Sequence, residues 1–201
     1  MIGRAVAALA RLLAGGYVRW DGPPPNGAAR VYFANHTSHL DFVLLWSYLP
    51  PDQRRRTRPV AARDYWEKGP LRRYLAGRVF RALLIDRSGP NARGAVDQMS
   101  GRVAAGDSLI LFPEGTRGTG EHIAPFKSGL FHLCEAQPDV ELVPVSLENL
   151  NRILPKGEFI PVPMVSRVIF GPPLRLESGE SKEAFLERTR SALEALREEP
   201  A

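Results

Sequence analysis

The stretch Val31-Tyr32-Phe33-Ala34-Asn35-His36-Thr37-Ser38-His39-Leu40-Asp41 decides the fold of this chain. Its first four residues are an apolar run that predicts a buried strand. A second apolar run, Phe42-Val43-Leu44-Leu45-Trp46, begins directly after Asp41 and predicts a helix. The polar residues between the two runs form a tight turn. A strand, a turn and a helix in this order indicate an α/β protein, and such turns are where α/β enzymes carry their chemistry.

Two residues of this turn are suited to act together as a base and the group that orients it, namely His36 and Asp41. A histidine side chain ordinarily has a pKa of about 6.5, so it can accept a proton near neutral pH. Five residues advance about 500° on a straight helix, so the pair requires His36 in the turn and Asp41 in the first helical turn. Ser38-x-x-Asp41 has capping-box spacing, which predicts Ser38 at the N-cap and Asp41 at N3. The alternative is that Asp41 only caps the helix and His39 is a surface residue.

A second stretch repeats the pattern of a strand followed by a polar turn. Ser108-Leu109-Ile110-Leu111-Phe112 predicts a short buried strand, and Pro113-Glu114-Gly115-Thr116-Arg117-Gly118 predicts the turn after it. Gly115 permits a close approach of the backbone to a ligand, and Arg117 offers a planar guanidinium suited to phosphate. On its own, a strand followed by a glycine-containing turn is a weak indication of a site.

Together, Asn35-His36-x-Ser38-x-x-Asp41 and Phe112-Pro113-Glu114-Gly115-Thr116-Arg117 closely resemble the motifs of the glycerolipid acyltransferase family, specifically the lysophosphatidate (1-acyl-glycerol-3-phosphate) acyltransferases. Leu84-Ile85-Asp86-Arg87 and Val143-Pro144-Val145 fall in the family's order, and Lys127-x-Gly129 sits where members usually carry a Lys or similar residue before a glycine. The resemblance spans about residues 30 to 150. Gly118 stands where many members have Ser, and Arg81-Ala82 replaces a common glycine. These departures concern substrate detail more than reaction class.

The resemblance implies an O-acyltransferase that moves a fatty acyl group from an acyl thioester to the free hydroxyl of lysophosphatidate, making phosphatidate in phospholipid biosynthesis. His36 would take the hydroxyl proton, and Asp41 would hold the imidazole tautomer, without an acyl-enzyme. No metal and no cofactor are expected, because the acyl group arrives on a co-substrate, either acyl-CoA or acyl carrier protein.

The resemblance also implies a substrate site. Arg87, Gly115 and Arg117 match the family's phosphate site, and Thr116 belongs to the same motif. Glu114 would orient a glycerol hydroxyl or support an arginine. Lys127 is a candidate contact to the thioester or its oxyanion.

Several alternatives remain open. The acceptor could be another lysophospholipid or glycerol 3-phosphate. Cys134 is expected to be a small core residue, although a thioester-handling enzyme could use a thiol nucleophile. A metallohydrolase using His36, His39 and Asp41 is a further alternative, and activity that survives a strong chelator would remove it. A more remote one is a non-catalytic peripheral membrane-binding protein.

Composition narrows the class of protein. The chain has 201 residues, 44% hydrophobic and 24% charged, which is ordinary for a single globular domain. Its single cysteine, Cys134, excludes an internal disulfide framework and fits a reducing cytosol.

The net charge of +5 is unevenly placed, because residues 54–87 hold eleven basic side chains and only three acidic ones. Such a patch suits anionic lipid headgroups or an acidic carrier protein, and its alternative is a solvated face. Nucleic acid is not expected as a partner, because no binding motif is recognisable.

The N-terminal segment predicts an amphipathic helix. Ile2, Val6, Leu9 and Leu13 fall within about 60° on a helical wheel, with Arg4 and Arg11 on the opposite side. Such a helix either lies in a membrane interface or packs on the domain's own core. No stretch reaches the roughly 18 apolar residues of a spanning helix, and no cleavable signal peptide is evident. We therefore expect residues 1–20 to be a membrane-associating segment and 21–201 an acyltransferase domain. Its expected location is the cytoplasmic face of the cell membrane, peripheral or monotopic, at an anionic membrane surface.

Strand and helix patterns alternate along the chain, which predicts an α/β fold with a mostly parallel central sheet flanked by helices, as in glycerolipid acyltransferases. The predicted strands cover residues 17–20, 29–34, 59–62, 82–85, 108–112, 140–147 and 165–170. The predicted helices cover residues 38–49, 71–80, 91–105, 128–137 and 180–197, and 52–58 is predicted to be a basic loop. The apolar, proline-broken segment 159–165 is either a membrane-dipping or acyl-lining loop or an edge strand.

Overall fold

A computed structural model describes residues 2–14, 16–38, 40–86, 92–153 and 165–198 of the chain. Within these residues the strands are β1 Gly16–Trp20, β2 Arg30–Ala34, β3 Thr57–Ala62, β4 Leu83–Ile85, β5 Ser108–Leu111, β6 Glu141–Glu148 and β7 Ser166–Phe170. The helices are α1 Ile2–Leu13, α2 Asp41–Tyr48, α3 Pro51–Arg56, α4 Arg63–Trp66, α5 Pro70–Tyr74, α6 Ala92–Ala104, α7 Gly129–Ala136, α8 Leu150–Ile153 and α9 Lys182–Glu198. A π-helical turn, Leu75–Val79, continues α5.

The described strands form one sheet in the order β1-β7-β6-β2-β5-β3-β4. Neighbouring strands are parallel throughout, except for the antiparallel pair β6 and β7. The prediction of a mostly parallel sheet flanked by helices is therefore confirmed. β2 lies in the middle, paired with β5 on one side and β6 on the other. The loops after β2 and β5 consequently meet at one edge of the sheet, at the carboxyl ends of adjacent strands.

The sheet separates two hydrophobic cores, and β2 contributes to both of them. Tyr32 and Ala34 face the core that α1 and α2 cover, whereas Val31 and Phe33 face the core on the side of α6, α7 and α9. Successive side chains of a strand point to opposite faces, so a central strand covered on both faces needs an uninterrupted apolar run. The run that begins the first motif is apolar for this reason.

The basic stretch predicted as a loop is the main departure from the expected elements. Residues 51–56 form α3, and Thr57 already belongs to β3. Pro51 occupies the first helical position, where its fixed φ favours a helix start, and the buried Thr57 hydroxyl donates to the Gln53 carbonyl 2.9 Å away. The short helices α4 and α8 were also not predicted. The apolar segment 159–165 lies outside the described residues except for Val165, which is exposed.

Helix α1 packs on α2 through small residues rather than through its large apolar ones. Ala7, Ala10 and Ala14 are buried, and a Cβ on Gly3 would lie 3.3 Å from the Trp46 ring. The apolar residues that the sequence placed on one side of α1 differ in burial. Val6 packs against the core, whereas Ile2 and Leu9, together with Leu12, are 52%, 54% and 79% exposed. In the part of the chain that the structure describes, no helix combines the length and apolar character needed to cross a bilayer.

Candidate active site

The first motif leaves β2 in a turn whose start is tied to the neighbouring strand. Asn35 follows the last residue of β2, and its side-chain amide donates to the carbonyl oxygen of Leu147 at 2.7 Å. Its Oδ1 accepts the N–H of the same residue at 2.8 Å. Leu147 lies in β6, so this two-way bond continues the sheet pairing by one residue and fixes where the turn begins.

His36 and Asp41 meet as the sequence predicted. The Nδ1 atom of His36 lies 2.8 Å from Oδ2 of Asp41, a residue with no solvent exposure. The imidazole stacks on the ring of Phe112, with centroids 4.2 Å apart and planes 22° from parallel. Because Nδ1 faces the carboxylate, Nε2 is the ring nitrogen that remains for a substrate. A base held by a buried carboxylate in this way has the geometry of a proton-accepting dyad.

The capping-box prediction is confirmed in one of its two bonds, because Asp41 accepts the Ser38 N–H, but the helix begins later than predicted. Helix α2 begins at Asp41 itself, and Leu40 occupies the N-cap position without a side-chain cap. The hydroxyl of Ser38 accepts the N–H of Leu40 at 3.3 Å. Asp41 Oδ2 accepts the N–H groups of Thr37 at 2.6 Å and Ser38 at 2.8 Å. One carboxylate oxygen therefore binds the turn and the imidazole together.

Glu114 of the second motif holds the backbone of the first motif. Its carboxylate is buried, its Oε1 accepts the His36 N–H at 2.8 Å, and its Oε2 accepts the Ala124 N–H at 2.9 Å. The carbonyl of His36 in turn accepts the N–H of Gly118 at 2.8 Å. From the sequence, Glu114 was expected to orient a glycerol hydroxyl or to support an arginine. The structure instead directs both carboxylate oxygens to backbone amides, a role that the motif alone does not reveal.

The remaining residues of the second motif shape the turn after β5. Gly115 has a φ of +74°, and a Cβ there would lie 2.6 Å from Cε of Lys127. The left-handed backbone favours glycine at position 115, and a side chain there would have to displace the lysine stem that crosses it. The N–H of Lys127 donates to the Pro113 carbonyl at 2.9 Å, while its side chain is exposed. Lys127 does not line the cavity that faces His36.

A cavity of about 210 Å³ opens beside the imidazole. His36, Thr116 and Arg117 supply its polar side. The guanidinium of Arg117 forms no ion pair with any residue that the structure describes, so it is available to an anionic ligand. Arg87, the other predicted phosphate ligand, lies outside the described residues. The structure thus brings three of the predicted site residues to one cavity.

The rest of the cavity wall is lined mainly by apolar residue types, and all of these residues except Phe112 lie outside the two motifs. β3, α4 and the region around the π-helical turn supply it through Pro59, Val60, Ala61, Ala62, Tyr65, Trp66, Ala76, Phe80 and Ala82, and Phe42 and Phe112 complete it. A cavity with a base and a cation at one side and an apolar wall elsewhere suits a molecule with a polar reacting end and a hydrocarbon chain. The wall residues from β3, α4 and the region of the π-helical turn could not be predicted from the sequence, because only the fold brings them to His36.

Two alternative chemistries gain no support from the geometry. Cys134 is buried in α7 and does not line the cavity, and burial raises the pKa of its thiol to about 12. A thiol with that pKa is protonated near neutral pH and is a poor nucleophile. Among the described residues no three His, Cys, Asp or Glu side chains are grouped as metal ligands. His39, which the metallohydrolase alternative requires, lies outside them.

Comparison with known proteins identifies the family. Residues 22–148 match the family model described as Acyltransferase. The 1-acyl-sn-glycerol-3-phosphate acyltransferase of Limnanthes douglasii is 30% identical over 155 residues, covering 73% of this chain and 50% of that protein. The human 1-acyl-sn-glycerol-3-phosphate acyltransferase alpha is 31% identical over 138 residues, covering 67% and 46%. The chain thus spans about half the length of the curated relatives it matches.

A solved structure agrees in fold. The crystal structure of the 1-acyl-sn-glycerophosphate (LPA) acyltransferase from Thermotoga maritima aligns with a TM-score of 0.77 and 19% identity, covering all of this chain and 80% of that one. At this identity the likeness carries the architecture alone. The family match covers more than half of the chain and includes both motifs around His36. The chain therefore belongs to the Acyltransferase family.

Proposed function

We propose that this protein transfers a fatty acyl group from an acyl thioester to the free hydroxyl of 1-acyl-glycerol 3-phosphate, making phosphatidate. The observation that carries the proposal is the His36–Asp41 pair, which opens onto a cavity with Arg117 at its polar side and an apolar wall beyond. The acceptor named for the relatives is 1-acyl-sn-glycerol 3-phosphate, which combines a phosphate, a hydroxyl and a hydrocarbon chain.

In the proposed reaction, Nε2 of His36 accepts the proton of the substrate hydroxyl as the oxygen attacks the thioester carbonyl carbon. The tetrahedral intermediate collapses with cleavage of the carbon–sulfur bond. The thiolate that leaves takes the proton from the imidazolium, which restores the neutral base. Asp41 holds the proton of Nδ1 on the ring and stabilises the imidazolium. A base positioned in this way contributes about 10²–10⁴-fold to the rate.

The acceptor phosphate is assigned to Arg117, with Arg87, Gly115 and Thr116 as further members of the site. A guanidinium presents parallel N–H groups that match two phosphate oxygens, which favours a phosphate monoester over an uncharged headgroup. Lys127 is proposed as a contact to the thioester oxyanion only from its place after the second motif, since its exposed side chain does not line the cavity. Glu114 acts as a positioning residue through the backbone of His36.

The apolar wall of the cavity is assigned to a hydrocarbon chain. Phe42 and Phe80 pack edge to face at its inner side, with ring centroids 4.9 Å apart. The donor is a soluble thioester, acyl-CoA or acyl carrier protein, and the mechanism requires no resident cofactor or metal.

The proposed location is a membrane surface, with peripheral or monotopic association at the cytoplasmic face. Lysophospholipid acceptors reside in bilayers, and the exposed Ile2, Leu9 and Leu12 give α1 an apolar outer surface. Leu71 and Tyr74 add exposed apolar side chains on α5. A helix of this kind binds at the interface without crossing the bilayer.

The test is acyl transfer to lysophosphatidate in detergent or liposomes, with acyl-CoA and acyl carrier protein supplied separately. The wild type should form phosphatidate, and His36→Ala should lose about 10²–10⁴-fold of the rate. The exposed His132, which pairs with Glu135 on α7, supplies the matched control, and His132→Ala should keep wild-type activity. Activity should also survive a strong chelator.

The enzyme could form product with another lysophospholipid or with glycerol 3-phosphate and none with lysophosphatidate. That result would support acyl transfer and show that the proposed acceptor is wrong. Liposome binding by folded protein without turnover on any acceptor would overturn the enzymatic proposal in favour of a non-catalytic membrane binder.

A further inference from the structure

A second cavity, of about 450 Å³, lies between the N-terminal end of α1, α3 and the residues after the π-helical turn. Four of the side chains around it are arginines, and we call it the arginine groove. Its arginines are Arg4, Arg54, Arg55 and Arg81, and Trp46 and Phe80 supply apolar walls. Phe80 also lines the cavity beside His36, so its buried ring separates the two cavities. The groove is therefore a separate site on the same side of the sheet as the catalytic cavity.

The positive charge of the groove has no counterion within the described part of the chain. None of its four guanidiniums forms an ion pair with a described carboxylate. Arginines elsewhere do, as in Arg30 with Glu141 at 2.8 Å and Arg190 with Glu194 at 2.6 Å. Like charges that are gathered without a partner repel one another, and a bound anion relieves that repulsion.

Two of the guanidiniums are held in place by the protein itself. The Arg54 guanidinium lies 5.3 Å from the Trp46 ring centroid, and its Nη1 donates to the Ser47 carbonyl at 3.2 Å. Arg81 donates from its Nη1 to the carbonyl of Arg55 at 3.3 Å. Partial burial, with the charges of Arg11 and Arg4, lowers the pKa of the Arg54 guanidinium below its usual value. The groove is thus both crowded with positive charge and partly organised before an anion binds.

The surroundings of the groove indicate what kind of anion it receives. Helix α1 supplies Arg4 to the groove and carries the exposed Ile2 and Leu9. On a helical wheel Arg4 projects roughly 160° from Ile2 and roughly 140° from Leu9, so the helix has a basic flank and an apolar outer surface. An ion with a charged head and hydrocarbon tails is complementary to both surfaces, whereas a free anion would use only the first.

We propose that the arginine groove binds the phosphate headgroup of an anionic membrane phospholipid and so seats α1 on the bilayer surface. The lipid is distinct from the acceptor that is consumed at His36, because Phe80 stands between the two sites. A guanidinium can bind two oxygens of one phosphate at the same time. A bound headgroup beside an apolar helix gives the protein two contacts with the membrane, which strengthens its attachment to the membrane surface. The inference rests on the membrane association given under the proposed function.

The experiment measures binding of the full chain to vesicles of phosphatidylcholine, with and without phosphatidylglycerol, in the absence of any acyl donor. The groove variant is Arg4→Gln with Arg55→Gln. The control is Arg102→Gln with Arg175→Gln, which removes two exposed charges on the opposite side of the sheet. Wild type and control should prefer the anionic vesicles, and the groove variant should lose about tenfold of that preference. Equal losses in the two variants would overturn the proposal, because net charge alone would then explain binding.

A second arm separates the lipid from an acidic protein. In detergent micelles the groove variant should turn over lysophosphatidate with acyl-CoA and with acyl carrier protein as fast as the control. Selective loss with acyl carrier protein, at unchanged vesicle binding, would overturn the proposal and make the groove a carrier dock. Because vesicle binding is measured without turnover, it remains informative if the proposed acyl transfer itself fails.

Discussion

Oδ2 of Asp41 lies 2.8 Å from Nδ1 of His36 and also accepts two backbone N–H groups of the same turn. We expect Asp41→Asn to lower kcat by about 10²–10⁴-fold with little change in KM, because the amide cannot stabilise the imidazolium. Steady-state kinetics would measure both constants, and the exposed Asp52→Asn would serve as the control. Activity of Asp41→Asn within threefold of wild type would exclude a role for this carboxylate in proton transfer.

Glu114 allows a test that separates positioning from substrate binding. In Glu114→Gln, one of the two carboxylate oxygens becomes an N–H₂ group. Only one oxygen then remains to accept the N–H of His36 or of Ala124, and the N–H₂ group faces the other N–H. Lost hydrogen bonds to a charged group cost about 1.5–3 kcal/mol, which corresponds to roughly 10–100-fold. We expect that loss in kcat, with the KM for lysophosphatidate nearly unchanged.

The control for Glu114 is Glu121→Gln, an exposed residue in the same segment. A Glu114→Gln enzyme with a raised KM and normal kcat would show instead that the carboxylate binds the acceptor, as the motif alone suggested.

Arg117 should determine affinity for the acceptor phosphate. A lysine keeps the charge but loses the paired N–H geometry, so Arg117→Lys is expected to raise the KM for lysophosphatidate by about 10–100-fold. The KM for the acyl donor should stay the same. Arg102→Lys, an exposed substitution on α6, is the matched control. A change confined to the donor KM would place the thioester, rather than the phosphate, at Arg117.

Cys134 predicts a specific dependence of stability on pH. Burial raises the pKa of its thiol from 9.0 to about 12, so the folded state keeps a proton that the unfolded chain releases. The free energy of unfolding is therefore unaffected by ionisation of this thiol below pH 9 and falls as the pH rises from 9 toward 12. The loss is about 4 kcal/mol at most. Urea unfolding of wild type and Cys134→Ala should therefore show free energies that converge or cross between these pH values.

The same residue should be dispensable for catalysis. Iodoacetamide at pH 8 should leave the activity of the folded enzyme intact and label Cys134 only in denaturant. Inactivation of native protein by the reagent, reversed in Cys134→Ala, would revive the thiol nucleophile.

The strands around the site could be predicted because each has a simple physical signature. β2 and β5 are covered on both faces, so their sequences are unbroken apolar runs followed by polar turns. The turn residues His36 and Asp41 were predicted as a pair because their spacing permits it only at a strand-to-helix junction. The segment 51–57 was harder to interpret. It contains a short helix that begins with proline and the first residue of a strand, and neither shows a repeating pattern of apolar residues.

The role of Glu114 was missed for a different reason. Its partners are backbone N–H groups, which every residue but proline has, so no side-chain pattern signals them. The apolar wall of the cavity was missed because Ala76 and Phe80 reach His36 only through the fold. The position of Arg87 remains a prediction.

The long-range ties of the His36 turn have a consequence for how the protein becomes active during folding. The turn depends on Glu114, 78 positions after His36, and on Leu147, 112 positions after Asn35. Contacts of such high sequence separation form late, because closing a long loop costs entropy before any contact is gained. On dilution from urea, helical signal should return before acyl transfer does. A nascent chain that stops short of β6 would carry both motifs and still lack the strand to which Asn35 fastens the start of the turn.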